Sequence, residues 1–277
     1  MAQTVLITGS SSGIGRRAAE RFLAEGWNVV ATLRDPSAWD GIPDGRLLIH
    51  ALDVRDEASV EAAVAAGVER FGRLDCVVNN AGAGLFAVFE GTPQAVVEDL
   101  FETNVYGPMR VIRAALPHFH RQGGGRIVNV TSTSATVPQS LQAVYTATKS
   151  ALDGFSEAVD HELRTRNVDV KIVVPGFVPS TNFVAQNYTR FAKVQTPPEY
   201  ASYLQQRIAV FDAEIPAGYV ATEVQAAAAV FEAATDTTGR LRFRVGQDAF
   251  GAATSRRLPD ADYESWRRST FDTPCPS

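Results

Sequence analysis

Several residue types are scarce in this chain of 277 residues, and each shortage excludes something. There are two cysteines, Cys76 in an apolar run and Cys275 near the end, too few for a disulfide framework and without metal-ligand spacing, which fits a reducing compartment. Histidine is scarce too, with four in the chain: His118 and His120 have no acidic partner at ligand spacing, and His161-Glu162 belongs to no zinc motif, so no metal is expected. No apolar run reaches the ~18 residues of a membrane span. Met1-Ala-Gln-Thr4 leads into a strand without a cationic start or apolar signal core, so a cytoplasmic protein with no membrane partner is expected. The formal charge of -5 is mild and the basic residues are scattered arginines, which argues against nucleic acid as a partner.

With 45% hydrophobic and 21% charged residues, the chain is long enough for one large α/β domain with a sizeable core. Residues 5–8 form a short apolar run ending in Gly9-Ser-Ser-Ser-Gly13-Ile14-Gly15, after which Ile14, Ala18, Phe22 and Leu23 recur at helical spacing. A strand, a glycine turn and a helix at this spacing form the phosphate-binding opening of a dinucleotide fold. The glycines let the backbone approach a pyrophosphate, and the helix N-terminus offers free N–H groups and its dipole. Further strands are expected at 28–33, 47–52, 75–79, 126–131, 168–174 and 241–246, and helices at 59–71, 93–105, 106–122, 143–166 and 222–234. Residues 35–45, broken by Pro36, Pro43 and two glycines, are expected as loop. This alternation predicts a Rossmann-type, doubly wound parallel sheet of about seven strands with helices on both faces. The domain is expected over 1–250, with an aromatic- and proline-rich insertion at 177–219 as a substrate lid, and 251–277 as a partly ordered tail anchored by Trp266 and Phe271.

Lysine is the scarcest charged residue, with Lys149, Lys171 and Lys193 alone, and one of the three stands four residues after Tyr145. On a helix those two side chains share a face, so the ammonium can favour the phenolate and draw its pKa from ~10 toward a working range. Ser132 ends the fifth strand, at the edge where an open α/β sheet binds its ligands.

On Thr8-Gly9-x-x-x-Gly13-Ile14-Gly15, Asp53, Asn79-Asn80-Ala81-Gly82, Asn104, Ser132, Tyr145-x-x-x-Lys149 and Pro175-Gly176, the chain resembles the short-chain dehydrogenase/reductase family over residues 5 to about 249. The resemblance implies a catalytic tetrad of Asn104, Ser132, Tyr145 and Lys149. Ser132 would hydrogen-bond the substrate oxygen, Tyr145 would pass the proton, Lys149 would bind the nicotinamide ribose, and Asn104 would support a water leading to Lys149. It also implies cofactor contacts from Gly9, Ser11, Ser12, Gly13, Ile14, Gly15, Leu33, Arg34, Asp53, Val54, Asn80, Ala81, Gly82, Tyr145, Lys149, Pro175, Gly176 and Val178. Where members often carry a threonine four residues past the glycine, Ser180 stands here and Thr181 follows, and either hydroxyl is a candidate.

An acidic residue ending the second strand would suit a ribose 2′-hydroxyl, whereas arginine suits a 2′-phosphate. Leu33-Arg34 therefore predicts NADP(H). The expected activity is hydride transfer between the nicotinamide and a bulky, hydrophobic ketone or secondary alcohol. Phe177, Val178, Phe183, Val184, Tyr188 and Phe191 would line one wall of its pocket, and Phe86 and Phe89 the other. The competing expectation is a non-catalytic NADP-binding sensor or scaffold, which has no need of all four tetrad residues. The helices 106–122 and 143–166 are expected to pair with symmetry mates in a homodimer or homotetramer, as family members usually do.

Overall fold

Seven strands carry the apolar runs of the sequence: β1 (Thr4–Thr8), β2 (Asn28–Leu33), β3 (Leu47–Ala51), β4 (Cys76–Asn79), β5 (Gly125–Val130), β6 (Val168–Pro175) and β7 (Arg242–Val245). In the computed structural model they form one parallel sheet in the order β3-β2-β1-β4-β5-β6-β7. The structure describes residues 2–41, 44–211 and 218–271. Pro43, Asp212, Pro216 and Cys275 lie outside them, as do the side chains at 184, 186, 188, 210 and 211 and hence the expected contacts of Val184 and Tyr188.

Because successive strand residues point to opposite faces, a strand buried on both sides must be apolar throughout. Val5 and Ile7 join one core with Ala18 and Phe22 of α1 (Gly13–Ala24) and Ala226 and Val230 of α9 (Glu223–Thr235). Leu6, between them, joins the other core with Val60 and Val64 of α2 (Glu57–Phe71) and Val111 and Phe119 of α4 (Gly107–Gln122). Phe22 packs edge-on against both Trp27 and Phe231, closing the first core at its end.

Helix starts follow local chemistry. Asp56 accepts the N–H groups of Ala58 and Ser59 ahead of α2, and Thr222 with Gln225 forms a capping box ahead of α9. The two helices expected at 93–105 and 106–122 run into one another: α3 (Gln94–Phe101) passes through a π-helical turn, Glu102–Tyr106, directly into α4. The 35–45 stretch holds a short 3-10 turn at Pro36–Ala38, where Asp35 accepts from Ser37.

The other elements lie toward the C-terminal half: α5 (Thr133–Thr136), α6 (Ala143–Leu163), α7 (Phe183–Phe191) and α8 (Ala201–Phe211), the last two within the 177–219 insertion. The stretch expected as a partly ordered tail carries two helices, α10 (Gln247–Ser255) and α11 (Asp260–Phe271). Its buried anchor is Tyr263, on which Trp266 packs, with Phe271 against Trp266 in turn. Arg207 of α8 donates to the Phe271 carbonyl, joining the tail to the insertion.

All strands run the same way, so their carboxyl ends share one edge. Strand order reverses between β1 and β4, opening a crevice there. The turns after β1, β4, β5 and β6, which hold Gly9, Asn80, Ser132 and Gly176, meet along that crevice.

Candidate active site

One end of the crevice is a phosphate cradle. Gly9 and Gly13 take positive φ angles of 72° and 59°, and a β-carbon on Gly15 would overlap the Gly9 carbonyl and the Asn80 amide. Ser12, the residue before α1, makes no side-chain cap, so the first N–H groups of the helix keep their bonding capacity toward the cleft. Asn80 braces the turn by donating to the Thr8 carbonyl at 2.9 Å and the Gly9 carbonyl at 3.1 Å. These groups suit a dinucleotide pyrophosphate: backbone donors, a helix N-terminus and no side chain in the way.

At the other end, Tyr145 and Lys149 lie one turn apart on α6, both buried. The Lys149 ammonium donates to the Val130 carbonyl at 3.0 Å and sits 5.9 Å from the Tyr145 ring centre. Ser132 places its hydroxyl within hydrogen-bonding reach of the Tyr145 phenol. Burial pushes the phenol up to about 12, against a smaller lowering by Ser132, and pushes the ammonium down to about 8. Sequence spacing suggests a cation that lowers the phenol; in the folded chain desolvation dominates both groups and moves the phenol the other way.

Asn104 sits in the π turn, fully buried, and its amide is committed to protein. It accepts the Ala83 N–H at 2.7 Å, donates to the Ala83 carbonyl at 2.7 Å and donates to Thr148 Oγ1 at 2.9 Å. It thus ties α6 to the Gly82-Ala83 loop, next to Lys149.

A single cleft of about 310 Å³ connects the two ends. Gly9, Ser11, Ser12, Gly13, Ile14, Leu33, Arg34, Asp53, Val54, Asn80, Ala81 and Gly82 line its outer part, and Ser132, Tyr145, Lys149, Pro175, Gly176 and Val178 its inner part. Gly15 and Asn104 stand behind the wall. Ser180 is exposed and off the lining, whereas Thr181 is on it, with its hydroxyl donating to the Val178 carbonyl.

The family model described as short chain dehydrogenase matches residues 3–190. The chain is a short-chain dehydrogenase. A crystal structure of a short-chain dehydrogenase from Streptomyces avermitilis superposes with a TM-score of 0.80 at 32% identity, over 98% of this chain and 99% of that one. A 3-ketoacyl-(acyl-carrier-protein) reductase from Brucella melitensis, complexed with NADH, gives 0.73 at 26% identity, over 91% and 98%. Among curated proteins, the 3-ketodihydrosphingosine reductase of Bacteroides thetaiotaomicron is 34% identical over 174 residues, 63% of each chain. This short-chain dehydrogenase is accordingly an oxidoreductase of a fold that binds a nicotinamide cofactor.

Several residues that shape the dehydrogenase's cleft carry no sequence motif. Beside Tyr145 the wall is polar: Ser134 donates to Gln142 Oε1 at 2.7 Å and Gln142 donates to Gln139 Oε1 at 3.0 Å. The facing wall is apolar, with Phe86 and with Phe183 at 5.4 Å from the Tyr145 ring. Phe89 and Phe191 take other places: Phe89 is 65% exposed, and Phe191 packs with Leu85 and Leu100 in a small separate core. At the outer end, Arg55 takes the Asp53 carboxylate and holds it below the usual carboxylate range. Arg55 also reaches Asp99, which in turn holds Arg190 of α7. Among the described residues no group of three His, Cys, Asp or Glu side chains is placed to hold a metal, and no helix is long and apolar enough to cross a membrane.

The depressed Lys149 value has a measurable consequence for stability. Between about 8 and 10.5 the unfolded chain binds a proton here that the folded chain has released, so stability rises with pH across that window and the penalty is full below it. Relative to Lys149→Met, the wild type should therefore gain up to about 3 kcal/mol from the bottom to the top of this window. Denaturant titrations of both proteins at each end check this; a pH-independent difference would contradict it.

Proposed function

We propose that this dehydrogenase transfers hydride between NADP(H) and a ketone or secondary alcohol, with Tyr145 as the proton donor and acceptor. The observation that carries the reading is the convergence of Tyr145, Ser132 and Lys149, all at one end of a cleft whose other end is the N-terminus of α1. The nicotinamide supplies or takes the hydride. The protein's part is to bind the substrate oxygen and to move its proton. Ser132 donates a hydrogen bond to that oxygen, and Tyr145 gives it the phenolic proton as alkoxide character grows. Burial favours the neutral phenol, the form that has a proton to give. Lys149 would hold the cofactor ribose and stabilise the phenolate left behind, and Asn104 keeps the Gly82-Ala83 loop against α6. All four tetrad positions are occupied, which favours turnover over a sensor or scaffold role.

The cleft fits a substrate with an apolar body against Phe86 and Phe183 and a hydrogen-bonding group facing Gln142. The curated relative that acts on a ketodihydrosphingosine supports a large, mainly hydrophobic carbonyl compound. Tyr145→Phe should cut turnover about a hundredfold or more and leave cofactor binding nearly intact. A panel of ketones and alcohols, followed by nicotinamide absorbance with wild type and variant, tests both points. Near-wild-type rates in the variant would remove Tyr145 from its role.

The choice of NADP(H) rests on Arg34, which is exposed at the cleft rim behind buried Leu33. Among the described residues it makes no hydrogen bond or ion pair, because neighbouring Asp35 is engaged by Ser37. An uncommitted guanidinium suits a 2′-phosphate. Leu33→Asp should shift the preference toward NAD, read as the ratio of kcat/KM for the two cofactors; a ratio that does not move, or a wild type that prefers NAD, would refute the assignment.

A homodimer or homotetramer formed through the outer faces of α4 and α6 completes the reading. Phe155 and Val159 of α6 remain only partly buried within one chain, which supports it. Light scattering should give a mass of two or four chains, and a mass of one chain would overturn it.

A further inference from the structure

Asp248, the second residue of α10, lies far from every motif in the sequence, yet its carboxylate is set into the wall of the cleft between the ends of two strands. Strands β6 and β7 end side by side, with Pro175 paired to Val245, and each is followed by a glycine. A β-carbon on Gly176 or on Gly246 would overlap Asp248 Oδ1. The two glycines thus leave the slot that the carboxylate fills.

Inside the slot the carboxylate is held by backbone donors. Phe177 N–H donates to Oδ2 at 2.6 Å, and Ala249 N–H donates to Oδ1 at 2.9 Å. Phe177 is the first residue of the 177–219 insertion, 71 positions away. The other root meets the same residue: the Asp248 N–H donates to the Tyr219 carbonyl at 3.2 Å, and the Ala221 N–H donates to the Phe177 carbonyl at 3.2 Å. A carboxylate at the start of a helix is stabilised by the helix dipole whatever else it does. That explains the bond to Ala249, but neither the bond to Phe177 nor the pair of glycines.

We propose that Asp248 is a positioning residue that ties both roots of the insertion to the Pro175-Gly176-Phe177 turn and so fixes the inner wall of the cleft where the nicotinamide end of the cofactor binds. The proposal rests on the dinucleotide reading above. Val178 and Thr181 follow Phe177 directly, so their place on the wall depends on where Phe177 is held. An ionised carboxylate accepts at both oxygens, which the two N–H groups require. Asparagine, equal in size, offers one oxygen and would turn an N–H toward one of those donors.

The test compares wild type with Asp248→Asn and Asp248→Ala in two ways. The first measures binding of NADPH and of 2′-phospho-ADP-ribose, which lacks the nicotinamide. Both variants should bind the fragment as wild type does, while NADPH binding weakens about tenfold or more and kcat falls with it, as expected when positioning is lost. The second is limited trypsin digestion of the free protein, with Arg190, Lys193 and Arg207 as the cleavage points in the insertion; both variants should be nicked there faster than wild type. Gly176→Ala should do comparable damage alone and add little in the Asp248→Ala background, where the slot is empty. Equal loss for fragment and whole cofactor, or unchanged nicking, would overturn the proposal. A wild type that binds neither ligand would defeat the dinucleotide reading instead, and the digestion rates would still decide whether Asp248 holds the insertion.

Discussion

An ammonium held inside the protein by one backbone carbonyl constrains everything near it. Lys149 donates to the Val130 carbonyl at 3.0 Å, and burial lowers its hold on the proton to about 8. Tyr145, a turn away, is driven in the opposite sense to about 12 by the same desolvation. Each group alone prefers to be neutral, and the charged pair gains only if the two stay close enough for their attraction in a low-dielectric site to offset both penalties. A drift of α6 along β5 would remove the attraction and leave both penalties in place.

The chain prevents such drift with directional bonds rather than hydrocarbon contact alone. Along α6, Thr148 receives the Asn104 amide, Ser156 receives the Asn129 amide at 2.8 Å, and Asp160 accepts the Val170 N–H at 3.1 Å. Asn129 also accepts from Asn79, so the series crosses from β4 through β5 to the helix. Buried polar groups are costly when unpaired, so each bond fixes a register that apolar packing would leave free to slide. The π turn belongs to the same device. One extra residue in the helical path at Glu102–Tyr106 lets Asn104 face the Gly82-Ala83 loop while α3 and α4 keep their apolar faces inward.

The sheet was legible because buried parallel strands demand largely apolar runs, and the turn after β1 and the Tyr145–Lys149 pair because glycine spacing and helical spacing are local. What stayed hidden depends on long separations or on small differences in direction. Asp248 reads as an unremarkable polar residue after a glycine, and only the fold brings it to Phe177. The series Asp53, Arg55, Asp99 and Arg190 joins three segments, and no periodicity marks it. The choice between Ser180 and Thr181 turns on one residue of rotation in a loop that Pro179 enters. Helices α10 and α11 escaped notice because they are polar and short, and α11 buries one residue, Tyr263. The raised phenol value is not legible in the sequence, because spacing reveals neighbours, whereas burial needs the third dimension.

The insertion is where the energetic terms come nearest to cancelling. Phe183 against Tyr145 and Phe191 against the small core at Leu85 and Leu100 favour its docking. Against them, both amide atoms of Asn187, the Thr196 hydroxyl and Arg207 Nε are buried with no hydrogen-bond partner among the described residues. Each such group costs about 1–3 kcal/mol. The Arg190–Asp99 pair, at 3.4 Å and partly exposed, returns at most about 1 kcal/mol. Directional bonds offset part of this: the Tyr200 hydroxyl donates to Glu90 at 2.9 Å and the Gln195 N–H to the Gly91 carbonyl at 3.3 Å, while the two ends are held where Phe177 and Tyr219 meet at Asp248. Tying the segment at both roots keeps Phe177, Val178 and Thr181 on the cleft wall that Tyr145 also lines, so the order of that wall depends on Asp248 more than on any single contact farther along the insertion.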